Sequence, residues 1–220
     1  MKPQNLLIPA LALCLAALLL TACMTAPSGE ELVLEGPVEM GMKVGERLPG
    51  TQVELLSISG GAARVSIAGS FAEKRVGDSL DWSGTVREGV ELKLALRIIW
   101  IGEDEVHTAG TARLRIRQPA PAPETITSEP PIHYALPMTA AVKRYQPVPG
   151  TTITYLGKDP DKGAVFGGVA GYPYRKTADS LTWEGRLREG VLARHELRVI
   201  LFTDDQAQVG GIVHVYIAPE

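Results

Sequence analysis

Few side chains in this sequence have the types and spacing that binding or catalysis would need. The most suggestive group is Tyr172, Tyr174 and Arg175, which brings two aromatic rings and a guanidinium within four residues, on either side of Pro173. Tyrosine rings stack on sugars and peptides, and each carries a polar hydroxyl. We therefore predict a ligand-binding edge at these three residues. The alternative is an ordinary surface strand whose rings pack against their neighbours.

Signals for catalysis and for metal binding are weak. The four histidines lack the spacing of a metal-ligand set; they are His107, His133, His195 and His214. Residues 159–163 begin like a calcium-binding loop, but Ala170 stands where that loop needs a glutamate. Ser180 has no histidine tied to it by spacing and lies in no nucleophile motif. We predict no catalytic residue, no metal site and no cofactor.

The chain has only two cysteines, and Cys23 is the more informative of them. It directly follows Leu20-Thr21-Ala22, at the end of an apolar run that starts at Leu6, just after Lys2. A basic start, about 15 apolar residues and small residues before a cut are typical of a cleavable export signal. The run is shorter than the ~20 residues of a membrane-spanning helix. An ordinary secretory signal with an incidental cysteine is the alternative.

The segment Leu20-Thr21-Ala22-Cys23 resembles the lipobox of bacterial lipoproteins, and this resemblance covers only the first 23 residues. In that family the chain is cut just before the cysteine, whose thiol receives a diacylglycerol. The resemblance therefore implies a signal peptide over residues 1–22 and a lipid on Cys23. It also implies an extracytoplasmic protein anchored to the cell membrane or the outer membrane. Because Cys14 lies in the signal, the mature chain would have no thiol for a disulfide.

The body of the chain contains two related segments. Of the 22 residues from Asp78 to Ile99, 12 are identical to the residue 101 positions later. The tetrapeptide Leu48-Pro49-Gly50-Thr51 recurs as Val148-Pro149-Gly150-Thr151. A repeat this long indicates tandem domains rather than a solenoid. We predict a tether (23–35), a first β domain (36–117), a Pro-rich linker (118–131) and a second β domain (132–220).

Apolar and polar residues alternate in both repeats, as expected for half-buried strands. Leu80, Trp82 and Val86 share one face of the first such strand, and Val90 to Trp100 alternate in the next. Arg-Glu-Gly joins the two strands, and Gly89 suits the left-handed position of a three-residue hairpin loop. Pro49-Gly50 suits the centre of a type II turn. The predicted fold class is all-β, with two tandem small β-sandwich domains, Ig-like or barrel-like, from an internal duplication.

Residues that the two repeats share are expected to be structural. Trp82 and Trp183 lie in the apolar phase of their strands, which predicts core anchors rather than ligand platforms. Asp78 and Arg97 of the first repeat recur as Asp179 and Arg198 in the second. This reuse favours a structural salt bridge or a turn cap over binding charges. A basic row is specific to the first repeat and consists of Arg113, Arg115 and Arg117. We predict that this row is a solvated face or a charged edge strand.

The charge balance limits the kinds of partner. The chain carries 22 basic and 25 acidic residues, so its net charge of −3 does not favour nucleic acid as the main partner. We therefore expect a lipid-anchored, non-catalytic binding or assembly module of the bacterial envelope. Its partner would be an envelope protein, a peptide or a glycan. The alternatives are a structural spacer or accessory subunit of an envelope complex and, less favoured, an enzyme acting on the cell wall.

Overall fold

The computed structural model describes residues 31–219, in which strands are the only extended regular elements. The predicted signal peptide, Cys23 and residues 24–30 of the predicted tether lie outside the described residues. Between residues 31 and 219, no helix has the length and apolar character needed to cross a membrane.

The strands fall into two consecutive sets, which we call unit 1 (residues 31–117) and unit 2 (residues 132–219), with residues 118–131 as the linker. In chain order they are β1 (Glu31–Lys43), β2 (Val53–Ser59), β3 (Ala62–Ile67), β4 (Ser70–Lys74), β5 (Ser79–Arg87), β6 (Val90–Ile101), β7 (Glu105–Arg117), β8 (Ala122–Pro123), β9 (Ile132–Lys143), β10 (Thr154–Asp159), β11 (Gly163–Gly167), β12 (Tyr174–Arg175), β13 (Ser180–Arg188), β14 (Val191–Phe202) and β15 (Gln206–Ile217).

Each unit combines a long and a short antiparallel sheet. Unit 1 has the strand orders β1-β7-β6-β5 and β2-β3-β4, and unit 2 repeats them as β9-β15-β14-β13 and β10-β11-β12. The linker strand β8 adds a fifth strand to the long sheet of unit 2. The all-β, sandwich-like class is therefore confirmed. Every sheet of the described chain has two edge strands, so the barrel-like alternative does not apply. An origin by duplication stays a prediction.

The alternating sequence pattern places most of the core where it was predicted. Val90, Leu92 and Leu96 of β6 are at most 1% exposed. The predicted alternation also turned Trp100 inward, and this was wrong, because Trp100 is 49% exposed. A bulge between Ile98 and Trp100 shifts the register of β6 against β7. Such a bulge re-aims the side chains that follow it.

The predicted turns are present in both units. Gly89 and Gly190 close the Arg-Glu-Gly loops with φ angles of 71° and 69°, in the left-handed region that glycine adopts without a steric penalty. Gly50 has a φ of 72°, and the Thr51 amide donates to the Leu48 carbonyl at 3.0 Å. This is the type II turn that Pro49-Gly50 predicts.

The predicted tether and linker are partly built into the sheets. β1 begins at Glu31, so residues 31–35 belong to a strand in which Leu32 and Leu34 are 2% exposed. In the linker, Ala122 and Pro123 pair with the edge of β13. Pro123 is compatible with this position, because a residue on an edge strand can lack a backbone donor. The linker is therefore docked along part of its length and is not a free spacer.

The two units share one continuous hydrophobic cluster. Strands β1 and β9 meet where Gly36 of unit 1 faces Pro137 of unit 2. A Cβ atom built on Gly36 would lie 2.2 Å from Cδ of Pro137, so this approach requires glycine. The Tyr134 hydroxyl donates to the Pro49 carbonyl of unit 1 at 2.7 Å, and burial raises the pKa of this hydroxyl.

Reciprocal arginines add to the contact between the units. Arg87 donates to the backbone carbonyls of Glu189 and Ala218, at 3.0 and 3.1 Å. Its counterpart Arg188 donates to the Arg117 carbonyl at 2.9 Å. Each unit thus uses the arginine of its Arg-Glu-Gly loop to bind the backbone of the other. Whether residues 132–220 fold alone stays a prediction.

Candidate functional site

Tyr172 and Tyr174 form an aromatic pair at the edge of the short sheet in unit 2. Tyr172 is 63% exposed and Tyr174 is half-buried, and their ring centroids are 5.1 Å apart. The ammonium of Lys162 lies 4.8 Å from the centroid of the Tyr174 ring, within cation–π range. The structure therefore brings together two of the predicted site residues and adds a cation that sequence spacing did not indicate.

Arg175 forms hydrogen bonds with its own segment. Its guanidinium donates to the backbone carbonyls of Tyr172 and Tyr174, and its Nε donates to the Ser180 carbonyl at 2.9 Å. Because its donors point into its own segment, Arg175 holds the two tyrosines in place. Lysines and aspartates add further polar groups around the rings.

The tyrosines border an open depression of about 500 Å³. Its charged lining residues are Asp161, Lys162, Arg175, Lys176 and Asp179. Two carboxylates and three cationic groups around a pair of rings suit a polar ligand that lies flat on the aromatic surface. Sugars and extended peptides have this character.

Local sequence explains why the pair is exposed. Strand β12 has only two residues, and it pairs with β11 through Ala164 and Val165 alone. Pro173 just before it lacks an amide proton but accepts from the Phe166 amide at 2.9 Å. Proline also disfavours a helical backbone at Tyr172. The aromatic segment is consequently held at an edge and is not continued into a longer strand.

Unit 1 carries a single aromatic residue at the corresponding place. Phe71 lies 101 positions before Tyr172 and is 66% exposed, and the Arg64 guanidinium lies 5.4 Å from its ring centroid. Here β4 runs uninterrupted for five residues. Like Tyr172, Phe71 is exposed, and like Tyr174 it lies beside a cation. It lacks the second ring and the two lysines, Lys162 and Lys176, that border the tyrosines.

The paired tryptophans differ between the units. Trp183 is 6% exposed, and its indole N–H donates to the Thr152 hydroxyl at 3.0 Å, which confirms a core anchor. Trp82 packs against the same core but is only half-buried. The second predicted anchor is thus confirmed in part.

The repeated aspartates are turn caps. Asp78 accepts from the Arg75 amide at 2.8 Å, and Asp179 accepts from the Lys176 amide at 2.7 Å. Arg97 donates to the Gly77 carbonyl at 2.9 Å and forms no ion pair with Asp78. Of the two structural alternatives, the cap is therefore the observed one.

The basic row lies in the middle of a sheet. Its strand, β7, runs between β1 and β6, so the edge-strand alternative is wrong. Arg113 pairs with Glu35 at 3.4 Å, Arg115 with Glu31 at 3.2 Å, and Arg117 with Glu91 at 2.5 Å. The row is a solvated face whose charges are largely balanced within unit 1.

The same place in unit 2 holds a histidine pair that the sequence did not reveal. Nε2 of His133 lies 3.1 Å from Nδ1 of His214, and the His133 ring stacks on Tyr216 with centroids 4.6 Å apart. Partial burial and the neighbouring His214 lower the pKa of His133. These residues are more than 80 positions apart in sequence, and only the β9–β15 register brings them together. Beside them, Arg194 contacts linker residue Glu129 at 3.3 Å.

His195 is a second unexpected feature. It is 0% exposed, and neither ring nitrogen has a partner in good hydrogen-bond geometry. Its ring meets Trp183 edge-to-face, with centroids 5.4 Å apart. Burial lowers its pKa to about 4, and the nearby Pro149 backbone offsets only part of this effect. A neutral imidazole enclosed in this way has a structural role, because no solvent or ligand reaches it.

A larger cleft lies where the linker meets both units. Its volume is about 620 Å³, and its walls are mainly apolar. They include Leu32, Pro119, Pro121, Val142, Pro147 and Pro149. Sequence analysis could not identify this cleft, because its walls come from β1, the linker and unit 2.

No three His, Cys, Asp or Glu side chains within residues 31–219 lie close enough together to hold a metal ion. The comparisons with known proteins add no template for the aromatic pair or the histidine pair. No family model, no curated protein and no solved structure matches this chain.

Proposed function

We propose that this protein is a lipid-anchored, extracytoplasmic binding or assembly module of the bacterial envelope, and that it is not an enzyme. The observation that carries the binding part of the proposal is the exposed Tyr172–Tyr174 pair beside Lys162. The anchoring part depends on Leu20-Thr21-Ala22-Cys23. The proposed partner is an envelope protein, a peptide or a glycan.

The short distance between Cys23 and the fold supports a module held at the membrane surface. Because β1 begins at Glu31, only residues 24–30 separate the proposed lipid from the first strand. At about 3.3–3.6 Å per residue, the eight steps from Cys23 to Glu31 span at most about 29 Å. A lipidated Cys23 with two or more acyl chains would therefore hold unit 1 close to the bilayer.

The surface of unit 2 supports a binding role over a purely structural one. Tyr172 leaves 63% of its surface in solvent, although packing it would be favourable. The Arg175 hydrogen bonds to the carbonyls of Tyr172 and Tyr174 keep the rings in place. A pre-positioned aromatic surface loses little conformational entropy on binding.

The second candidate is a spacer or accessory subunit of an envelope complex. The continuous core and the docked linker favour it, because they join the two units into one body. Both candidates require the anchor, but only the first requires the tyrosines.

The anchor is tested by Cys23→Ala. We expect this variant to lose membrane association or to accumulate as an uncut precursor, because position 23 then has no thiol to accept the lipid. Fractionation of cells and the mass of the purified protein measure both outcomes. A mature, membrane-bound Cys23→Ala protein would refute the anchoring proposal.

The binding role is tested by Tyr172→Ala combined with Tyr174→Ala. Phe71→Ala is the matched control, because it removes an equally exposed ring with a cation partner from unit 1. We expect crosslinking to envelope partners in intact cells to fall in the double variant only, with little change in unfolding free energy. Unchanged crosslinking would favour the spacer, and a large loss of stability would assign the rings to packing.

A further inference from the structure

The linker shows how one edge of this fold binds an extended chain. Along β13, the Ala120 amide donates to the Leu187 carbonyl at 2.7 Å, and the Glu124 amide lies 3.4 Å from the Glu184 carbonyl. The backbones approach so closely that a Cβ atom on Gly185 would lie 2.3 Å from the Ala122 oxygen. This is strand addition to a sheet edge.

The equivalent edge of unit 1 is uncovered in the described part of the chain. Strand β5 ends its sheet and pairs only with β6. Gly84 corresponds to Gly185, but the three atoms nearest to a Cβ built there all belong to the Trp82 ring. Gly84 and Val86 are half-buried, whereas their counterparts in unit 2 are buried. The β5 edge therefore offers the same backbone groups without an occupant.

The surface beside this edge has an exposed cationic side chain, that of Lys93. A groove of about 580 Å³ borders it, lined by Ser83, Thr85, Glu91, Lys93, Arg113 and Arg115. Lys93 is exposed, and within residues 31–219 it has no carboxylate partner within ion-pair distance. Its counterpart in unit 2, Arg194, pairs with linker residue Glu129. An acidic residue of an incoming strand would meet Lys93 in the corresponding way.

We propose that the β5 edge of unit 1 binds an extended, acidic segment of a partner protein by strand addition. Backbone hydrogen bonds to β5 hold the segment, and Lys93 selects a carboxylate side chain, as Arg194 does in the linker. This surface is separate from the Tyr172–Tyr174 pair, so the inference does not depend on the proposed function.

The test uses the linker sequence as the probe. A fluorescein-labelled peptide with the sequence of residues 119–129 is added to the full-length chain in detergent solution, and its anisotropy is measured. We expect saturable binding that weakens when the two glutamates of the peptide are replaced by glutamine. Lys93→Glu should weaken binding about fivefold, because it reverses one exposed ion pair.

Two further variants locate the bound peptide. Thr85→Pro removes an amide at the position equivalent to Arg186, which pairs with the linker, and proline is tolerated on an edge strand. We expect it to abolish binding without unfolding the chain. Lys43→Glu is the control for Lys93→Glu, because it makes the same charge change on the exposed end of β1.

Several results would overturn the proposal. One is no binding at peptide concentrations up to about 1 mM, a level that detects even weak complexes. Another is binding that neither Lys93→Glu nor Thr85→Pro reduces. Binding seen only after removal of residues 1–30 would assign the edge to the chain's own N-terminal segment. A concentration-dependent dimer that Thr85→Pro abolishes would assign it to a second copy.

Discussion

His195 differs from its counterpart in unit 1 in side-chain chemistry and not in burial. Leu94 occupies the equivalent position in unit 1, and both side chains are at most 1% exposed. Leucine has no polar atom to satisfy, whereas His195 buries two nitrogens without hydrogen-bond partners. An unsatisfied buried polar group costs about 1–3 kcal/mol. Unit 2 therefore contains a built-in source of instability at low pH.

This predicts a pH dependence with a definite sign. Burial lowers the pKa of His195 from 6.5 to about 4. At a pH between these two values, His195 is therefore protonated in the unfolded chain but not in the folded chain. The free energy of unfolding consequently falls as the pH drops from 6.5 towards 4. The full effect is about 3 kcal/mol. We expect His195→Leu to flatten the unfolding free energy over this range, measured by urea titration at several pH values.

The comparison with wild type isolates His195 from the carboxylates, which titrate in both proteins. If the two proteins lose stability in parallel between pH 6.5 and 4, the account of His195 is wrong.

At the residue scale, candidate site residues could be identified from the sequence more easily than the contacts they make. Tyr172 and Tyr174 were recognisable because two rings flank a proline. Their Lys162 partner was not, because β10 and β11 must first fold into a hairpin to bring it there. The hydrogen bonds of Arg175 to its own backbone were not predicted either, and its role towards a ligand stays a prediction.

At the scale of elements, the linker is the informative segment. Its prolines predicted a linker between two domains, yet Ala122 and Pro123 form an edge strand and Glu124 pairs with Arg186 at 3.5 Å. Period-two patterns predicted β5 and β6 well, because alternation identifies strands that bury one face. No local sequence pattern predicts that the two-residue strand β8 pairs with the edge of β13, about 60 residues later in the chain.

The docked linker should stabilise unit 2. We expect a fragment of residues 118–220 to be more stable than one of residues 132–220 by about 1–3 kcal/mol, from backbone hydrogen bonds and the cover over Gly185. Chemical denaturation followed by circular dichroism measures the difference. Equal stability would mean that β8 contributes nothing. If neither fragment folds, the units require each other and the predicted domain boundary fails.

At the scale of the whole molecule, the contact between the units depends on the lack of a side chain at Gly36. Strand β1 crosses β9 there, and the shared cluster continues on both sides. Because one core joins the units, we expect the mature chain to unfold in a single cooperative transition.

Gly36→Val tests this arrangement. The added side chain would overlap Pro137, so we expect a loss of about 1–3 kcal/mol and two separate thermal transitions in calorimetry. Gly41→Val in the same strand is the control, because the nearest atom to its Cβ is His107 Cε1 at 3.9 Å. A Gly36→Val protein that behaves like the control would show that the units are not held together at this contact.

The central claim is that an anchored module presents Tyr172 to an envelope partner. The most direct measurement places a photo-crosslinking amino acid at position 172, and in a parallel strain at position 71, in intact cells. We predict a discrete adduct at 172 that is absent at 71 and lost when Cys23→Ala removes the anchor. Equal labelling at both positions, or an adduct that persists when Cys23→Ala has released the protein from the membrane, would contradict the account.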